Sequence, residues 1–284
     1  MRLCRFNEGK YGIVHGENVH DVTAVVDRIV RRGDVRGDLV VARLDDIKAA
    51  VDDPETYQAY PLSSVKLLSP VANPSKLVAA PTNYRAHIAE MAADKTVSNP
   101  GIPKDIGKAG LFLKANSALV GPSAGVALRF PERRNDHEVE FVVVIGRAGS
   151  DIPEERALDH VAGYTLGLDM TLRGPEDRSF RKSIDSYAVL GPWLVTADEI
   201  PDPDDVDFSL TVNGEVRQDA NTSDLIYGIA KLIAYGSSFY TLLPGDVIYT
   251  GSPEGVSPVR PGDVMVARCP AIGSMEVKVR LHAP

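Results

Sequence analysis

From about residue 75 onward, short strand-like runs follow one another with turn signals between them, and this limits the possible folds more than any other feature. The runs are Lys76–Ala80, Leu111–Lys114, Val139–Ile145, Gly163–Asp169, Trp193–Val195, Asp207–Val212, Asp246–Thr250 and Val264–Cys269. Asn213-Gly214, Pro244-Gly245-Asp246 and Pro261-Gly262-Asp263 break the chain with residues suited to tight turns. Two helices are expected among these strands. One starts at Asp151 with Pro153 in its first turn, has Glu154 and Glu155 near its positive end, and stops at Gly163. The other runs from a Ser223 cap through Leu225, Ile226, Ile229, Leu232 and Ile233. A (βα)8 barrel or a doubly wound sheet needs regular βα alternation, which is missing here. The expected class is α+β and rich in strand.

Residues 1–70 read as a small α+β domain of their own. Leu3–Phe6 and Tyr11–His15 form a strand pair around Glu8-Gly9-Lys10, and a helix near Leu39–Val51 puts Leu39, Val40, Leu44 and Ile47 on one face. Tyr60-Pro61-Leu62-Ser63-Ser64 then serves as a connector to a second domain, residues 71–284. A chain of 284 residues can bury a core for each. The segment 91–108 is polar and rich in Pro, Gly and Lys, as expected of a lid or a variable surface loop.

The net charge of −8 excludes a broad basic surface, so nucleic acid is not an expected partner. Arg129, Arg133 and Arg134 make only a short cluster beside Asp136, Glu138 and Glu140. Cys4 and Cys269 stand far apart with no CxxC or Cys/His spacing, which excludes a disulfide framework and a structural zinc site. No signal peptide or membrane-length apolar run is read from the sequence, and a reducing cytoplasm is the expected compartment.

In Asn135-Asp136-His137-Glu138-Val139-Glu140 the carboxylates recur every second residue, so a strand would project Asp136, Glu138 and Glu140 from one face. The run then becomes wholly apolar through Ile145, leaving its acidic end at the rim of a buried core. Such an end is either a solvated strand start with salt bridges or a site for a hard cation, which carboxylates suit. Asp169 closes another apolar run, as a turn cap or as a third ligand of an open octahedral site. His87 and Glu90 are three apart on an expected helical turn, where the acid can orient the imidazole; the same pair is common as surface decoration. Gly121-Pro122-Ser123-Ala124-Gly125 is formally G-x-S-x-G, but strand and proline follow it rather than a helix, so it reads as a turn. No P-loop, HExxH or GxGxxG occurs.

Taken in order, several segments resemble the fumarylacetoacetate hydrolase family over roughly residues 70–280. They are Asn83-Tyr84 with His87 and Glu90; Phe112-Leu113-Lys114; Asp136-His137-Glu138-Val139-Glu140; Asp169-Met170-Thr171-Leu172-Arg173; Lys182-Ser183-Ile184-Asp185; Val212-Asn213-Gly214-Glu215 with Gln218; and Pro244 through Val256. The resemblance implies a mixed β-roll catalytic domain behind a small N-terminal domain, usually as a homodimer. It makes Glu138, Glu140 and Asp169 ligands of Mg²⁺ or Mn²⁺, with Ca²⁺ a substitute in crystals. It makes His87 and Glu90 a water-activating dyad, sets Lys182 near the metal and substrate, and assigns Arg173, Gln218 and Thr250 to substrate binding. The chain departs from the family's pattern at Thr82, where Gly is usual, at Arg173-Gly174-Pro175-Glu176, where Arg-Asp-x-Gln is usual, and at Ser252, where Thr is usual.

The implied reaction is hydrolysis of a C–C bond in an acylpyruvate-type or related β-diketo acid, a small-molecule catabolic substrate. Decarboxylation or keto–enol tautomerism of a 2-oxo acid of the oxaloacetate type shares the same enolate and is the alternative. A non-catalytic ligand-binding relative is expected to lack the His87–Glu90 dyad, which this chain retains.

Overall fold

The computed structural model describes residues 1–30, 36–93 and 106–283. The middle of the polar 91–108 segment therefore lies outside the described residues. Among those described, twelve strands form one large sheet. Its main path runs Ala59–Pro61, Asn18–Asp21, Lys10–His15, Arg2–Phe6, Ala188–Thr196, Val161–Asp169, Val139–Ile145, Val247–Tyr249, Leu77–Ala79 and Phe112–Lys114. The N-terminal strands join the rest directly, through Arg2↔Val195 and Leu3↔Leu194.

Every residue of Val139–Ile145 is buried, which explains why the strand reads as an unbroken apolar run after Glu140. Its alternate side chains enter two cores. Phe141, Val143 and Ile145 pack with Tyr164, Val189, Phe208, Met265 and Ile233. Val142 and Val144 pack on the other face with Leu77, Val247, Tyr249, and the helix residues Val26, Leu44 and Ile47. Helices Thr23–Ile29 and Leu44–Ala50 thus cover one face. The other is covered by helix Ile229–Ser237 and a five-stranded sheet of Glu215–Asn221, Asp207–Val212, Val264–Cys269, Gly273–Leu281 and Val126–Leu128.

Phe141 also stacks on Tyr164, with ring centroids 5.1 Å apart. Phe141→Ala should lower the free energy of unfolding by about 3–5 kcal/mol, the cost of emptying a fully buried aromatic site. Urea unfolding followed by fluorescence or circular dichroism would show it; a loss below about 1 kcal/mol would contradict this packing.

Two expected helices differ from the structure for identifiable reasons. The expected 151–163 helix is a 3-10 segment, Glu154–His160, and the chain is already a strand from Val161. Gly163 does not stop a helix. It lies in the strand opposite Thr196, where a Cβ would sit 2.0 Å from the Val195 carbonyl oxygen. The expected helix at Ser223 begins instead at Ile229. Leu225 is drawn into a β-bridge with Tyr84, and the amides of Ile226 and Tyr227 donate to Asn83, so this stretch cannot be helical. Asp204, from a separate loop, accepts from the Ile229 amide at 2.8 Å. The 39–51 helix forms as a 3-10 turn, Val41–Arg43, leading into Leu44–Ala50.

Candidate active site

Strand pairing assembles the acidic residues. Val139 lies opposite Leu168 and Glu140 opposite Gly167, while the Asp169 amide donates to the Glu138 carbonyl at 2.8 Å. One carboxylate oxygen from each of Glu138, Glu140 and Asp169 lies within 4.8 Å of the others. All three side chains are buried, at 5%, 1% and 1% exposure, so their charges must be compensated inside the protein. Asp136 does not join them. The strand is interrupted at Glu138, and Asp136 instead accepts from Arg134 Nε and Arg173 Nε, each at 2.8 Å.

Two lysines and an arginine supply part of the compensation. Lys182 Nζ lies 2.6 Å from both Glu138 Oε2 and Asp169 Oδ2. Lys114 donates to Asp169 Oδ1 and to the Tyr187 carbonyl, and Arg173 Nη2 reaches Glu138 Oε1 at 3.0 Å. Burial alone would raise the Glu138 carboxyl, but Lys182, Arg173 and His87 together hold it below its ordinary range. Glu140 goes the other way. Burial, with the Asp169 charge next, pushes it well above that range. Its side chain accepts one backbone bond, from the Gly251 amide at 2.6 Å, and has no basic side chain at ion-pair distance among the described residues. Three converging, oxygen-only donors with one carboxylate left uncompensated fit a hard divalent cation.

His87 and Glu90 share the helix Arg85–Ala93, where i,i+3 spacing sets their side chains together. His87 is 3% exposed, and its Nδ1 lies 2.9 Å from Glu90 Oε2. A proton on Nδ1 donated to that carboxylate leaves Nε2 as the basic nitrogen. The positive charge that His87 carries when protonated favours the ionised form of Glu138. Glu90 is held in turn by the Gly255 amide at 2.9 Å.

Segment 250–256 therefore touches both halves of the site. Gly251 (φ +109°) gives its amide to Glu140 and Gly255 (φ +90°) gives its amide to Glu90. Both adopt backbone angles that side chains resist, and a Cβ on Gly255 would lie 1.9 Å from the Arg217 carbonyl oxygen. Gln218 braces the same segment. Its Oε1 accepts from Val139 N and lies 3.0 Å from His137 Nδ1; its Nε2 donates to Ser252 Oγ and the Pro253 carbonyl. Thr250 is fully buried and its hydroxyl donates to the Phe141 carbonyl at 2.7 Å.

Lys114 is the main site residue without a role in the sequence reading. The signal was available: in Phe112-Leu113-Lys114 the period-2 alternation puts the lysine on the inward side with Phe112. Ser123 lies in the 3-10 turn Pro122–Ala124, where its hydroxyl accepts from the Leu67 amide. That is a structural turn rather than a nucleophile elbow.

With this geometry in hand, comparison with known proteins is direct. The family model for the fumarylacetoacetate hydrolase C-terminal region matches residues 76–280. The chain belongs to the fumarylacetoacetate hydrolase family. It is 51% identical to the maleylpyruvate hydrolase of Aquipseudomonas alcaligenes, over 99% of each chain. Its fold matches the crystal structure of maleylpyruvate hydrolase from Sphingobium sp. SYK-6, in complex with manganese(II) ion and pyruvate, with a TM-score of 0.85, 36% identity and full coverage of both chains. A mitochondrial oxaloacetate tautomerase of Xenopus laevis is 36% identical over 73% of this chain and 65% of its own.

Proposed function

We propose that this chain is a divalent-metal-dependent hydrolase that cleaves an acylpyruvate at the C–C bond between its distal carbonyl carbon and the methylene next to it, releasing pyruvate and a carboxylic acid. The observation that carries this reading is the His87–Glu90 dyad tied to the three buried carboxylates through the one segment whose Gly251 and Gly255 amides hold Glu140 and Glu90. Glu138, Glu140 and Asp169 would hold Mg²⁺ or Mn²⁺. When bound, the cation supplies a Lewis acid for the oxygens of the 2-oxo acid.

The chain's own groups account for the remaining work. Glu90 fixes the His87 tautomer, so Nε2 takes the proton of a water molecule as its oxygen attacks the distal carbonyl. The imidazolium that results is stabilised by the same carboxylate. The electron pair of the broken C–C bond passes into the pyruvate fragment, which takes up a proton as it leaves. Lys182 and Arg173 bring positive charge to where the anion develops. Gln218 and Thr250, bonded to the backbone around the site, serve in this reading by setting the walls against which substrate lies. Every residue in the scheme belongs to segment 71–284.

A homodimer in the cytoplasm is part of the same proposal. The buried, unpaired thiols of Cys4 and Cys269 suit a reducing compartment. Phe180, at 75% exposure, and Phe130 border a surface cavity of about 440 Å³ that a second copy would cover. Light scattering at the mass of one chain, 30.6 kDa, would remove the dimer. Among the described residues, no helix is long and apolar enough to cross a membrane.

The test is a substrate screen on metal-stripped protein to which Mg²⁺ or Mn²⁺ is restored. Maleylpyruvate and acetylpyruvate should lose their diketone absorbance and yield stoichiometric pyruvate, and EDTA should stop both. Release of CO₂ from oxaloacetate, or its keto–enol interconversion, without any cleavage of acylpyruvates would favour the decarboxylase or tautomerase chemistry instead.

A further inference from the structure

Segment 173–182 carries more positive charge than the acidic cluster uses. Arg173 and Lys182 are paired with Asp136, Glu138 and Asp169. Arg178 has no carboxylate at ion-pair distance among the described residues. Its close contact is Phe112, with the guanidinium carbon 5.3 Å from the ring centroid. Lys182 Nζ lies 5.4 Å from the same centroid while it holds Glu138 and Asp169. The ring therefore ties the Arg178 cation to the edge of the metal-ligand cluster.

The nearby acids are already engaged. Glu176 is taken by Arg133 in two bonds of 2.9 and 2.8 Å, which hold its carboxyl down at about 2. Asp177 accepts from the Ser179 amide at the start of the helix Arg178–Arg181. Arg181 is 4% exposed; its Nε has no partner and its Nη1 reaches only the Leu172 carbonyl, at 3.3 Å. Arg181 is buried and Arg178 partly buried, and this loss of water pushes both below their ordinary values. A planar guanidinium laid on a ring keeps its N–H edge available, the arrangement that binds a carboxylate in two parallel bonds.

We propose that Arg178 binds the far carboxylate of a dicarboxylic substrate, the end opposite its 2-oxo acid, and so selects acylpyruvates that carry a second acid group. The assignment rests on the preceding reading that the carboxylate triad, with its cation, grips the 2-oxo acid. It also gives a use to the stretch Gly174-Pro175-Glu176, where the chain departs from the family's pattern: Glu176 pairs there with Arg133, and among the described residues no carboxylate pairs with Arg178.

Calorimetry with Mn²⁺ present separates the two ideas. The probes are 2-oxopimelate, which has a far carboxylate but no second ketone to be cleaved, and 2-oxoheptanoate, which lacks that carboxylate. The parent protein should prefer the diacid, and Arg178→Met should cut this preference about 30-fold, with Arg178→Lys keeping part of it. The ratio of kcat/KM for maleylpyruvate over acetylpyruvate should fall in parallel. An unchanged preference in Arg178→Met, or its loss in Arg181→Met alone, would overturn the assignment. Failure of the parent to bind either oxo acid would overturn the underlying reading and this one with it.

Discussion

Asp169→Ala is expected to reduce turnover of an acylpyruvate by at least about 10³-fold, equivalent to about 4 kcal/mol of transition-state stabilisation. Both oxygens of this carboxylate are committed, one to Lys114 and one to Lys182, and it is one of three acids converging within 4.8 Å. Its removal takes away a proposed ligand and leaves two buried ammonium groups short of an anion. Losing one partner of a buried pair costs about 3–5 kcal/mol of stability, so a fold defect could mimic a site defect. Asp169→Asn separates them, since it keeps the shape and still accepts from one lysine. Isothermal titration with Mn²⁺ on Asp169→Asn should show at least a tenfold weaker affinity at near-parental unfolding temperature. Parental Mn²⁺ affinity in a folded Asp169→Asn protein would remove Asp169 from the metal site. Glu140→Gln offers a contrasting case. Its carboxylate has no cationic side chain to strand, and burial already opposes its charge, so metal affinity should fall while stability holds or rises.

The parts of the fold legible in the sequence are those where one local pattern meets one environment. Within the strand Val139–Ile145, residues 141–145 are apolar at successive positions because both faces are buried, and the strand falls within the expected bounds. Asp207–Val212 and Val264–Cys269 match as well, each bounded by the turn residues that end it. Where a distant partner decides, local reading fails. Ser223 through Ile226 carry a helical pattern, yet Asn83 and Tyr84, far away in the chain, claim the backbone groups of Leu225, Ile226 and Tyr227, a reach that no window of local propensity covers. Gly163 looks like a helix stop and is a strand glycine because the Val195 carbonyl presses on it.

The candidate site divides in the same way. Alternation in Glu138-Val139-Glu140 and the strand end at Asp169 were readable as acidic features, and the register Glu140↔Gly167 brings them together. Asp136 obeys the same alternation but is diverted by Arg134 and Arg173. Nothing local distinguishes Gln218 as a brace, because its four bonds reach 34 to 81 residues along the chain. The resemblance suggested substrate contact for it, and its bonds point first to holding Val139 and Pro253 in place. Mutation of Gln218 would thus report on the site's shape even if substrate never touches the side chain.

His87→Ala is expected to reduce kcat for acylpyruvate hydrolysis about 10²–10⁴-fold, the range for loss of a positioned general base. Two bonds in series support that size. The Gly255 amide holds Glu90, Glu90 holds Nδ1, and Nδ1 so held leaves Nε2 as the basic nitrogen. Glu90→Gln should cost less, because an amide oxygen still accepts from Nδ1 but no longer stabilises the imidazolium. Metal affinity is the discriminating control: it should fall in Asp169→Asn and stay parental in His87→Ala, whose ring is not a proposed ligand. Pyruvate binding with Mn²⁺ present should also survive in His87→Ala, so the loss appears in kcat with little change in KM. Because His87 is buried, His87→Gln and a thermal melt of both variants guard against a folding defect. Parental turnover by a folded His87→Ala protein would leave water activation to another group. Turnover lost together with Mn²⁺ affinity would instead make His87 part of the metal site's support rather than the base.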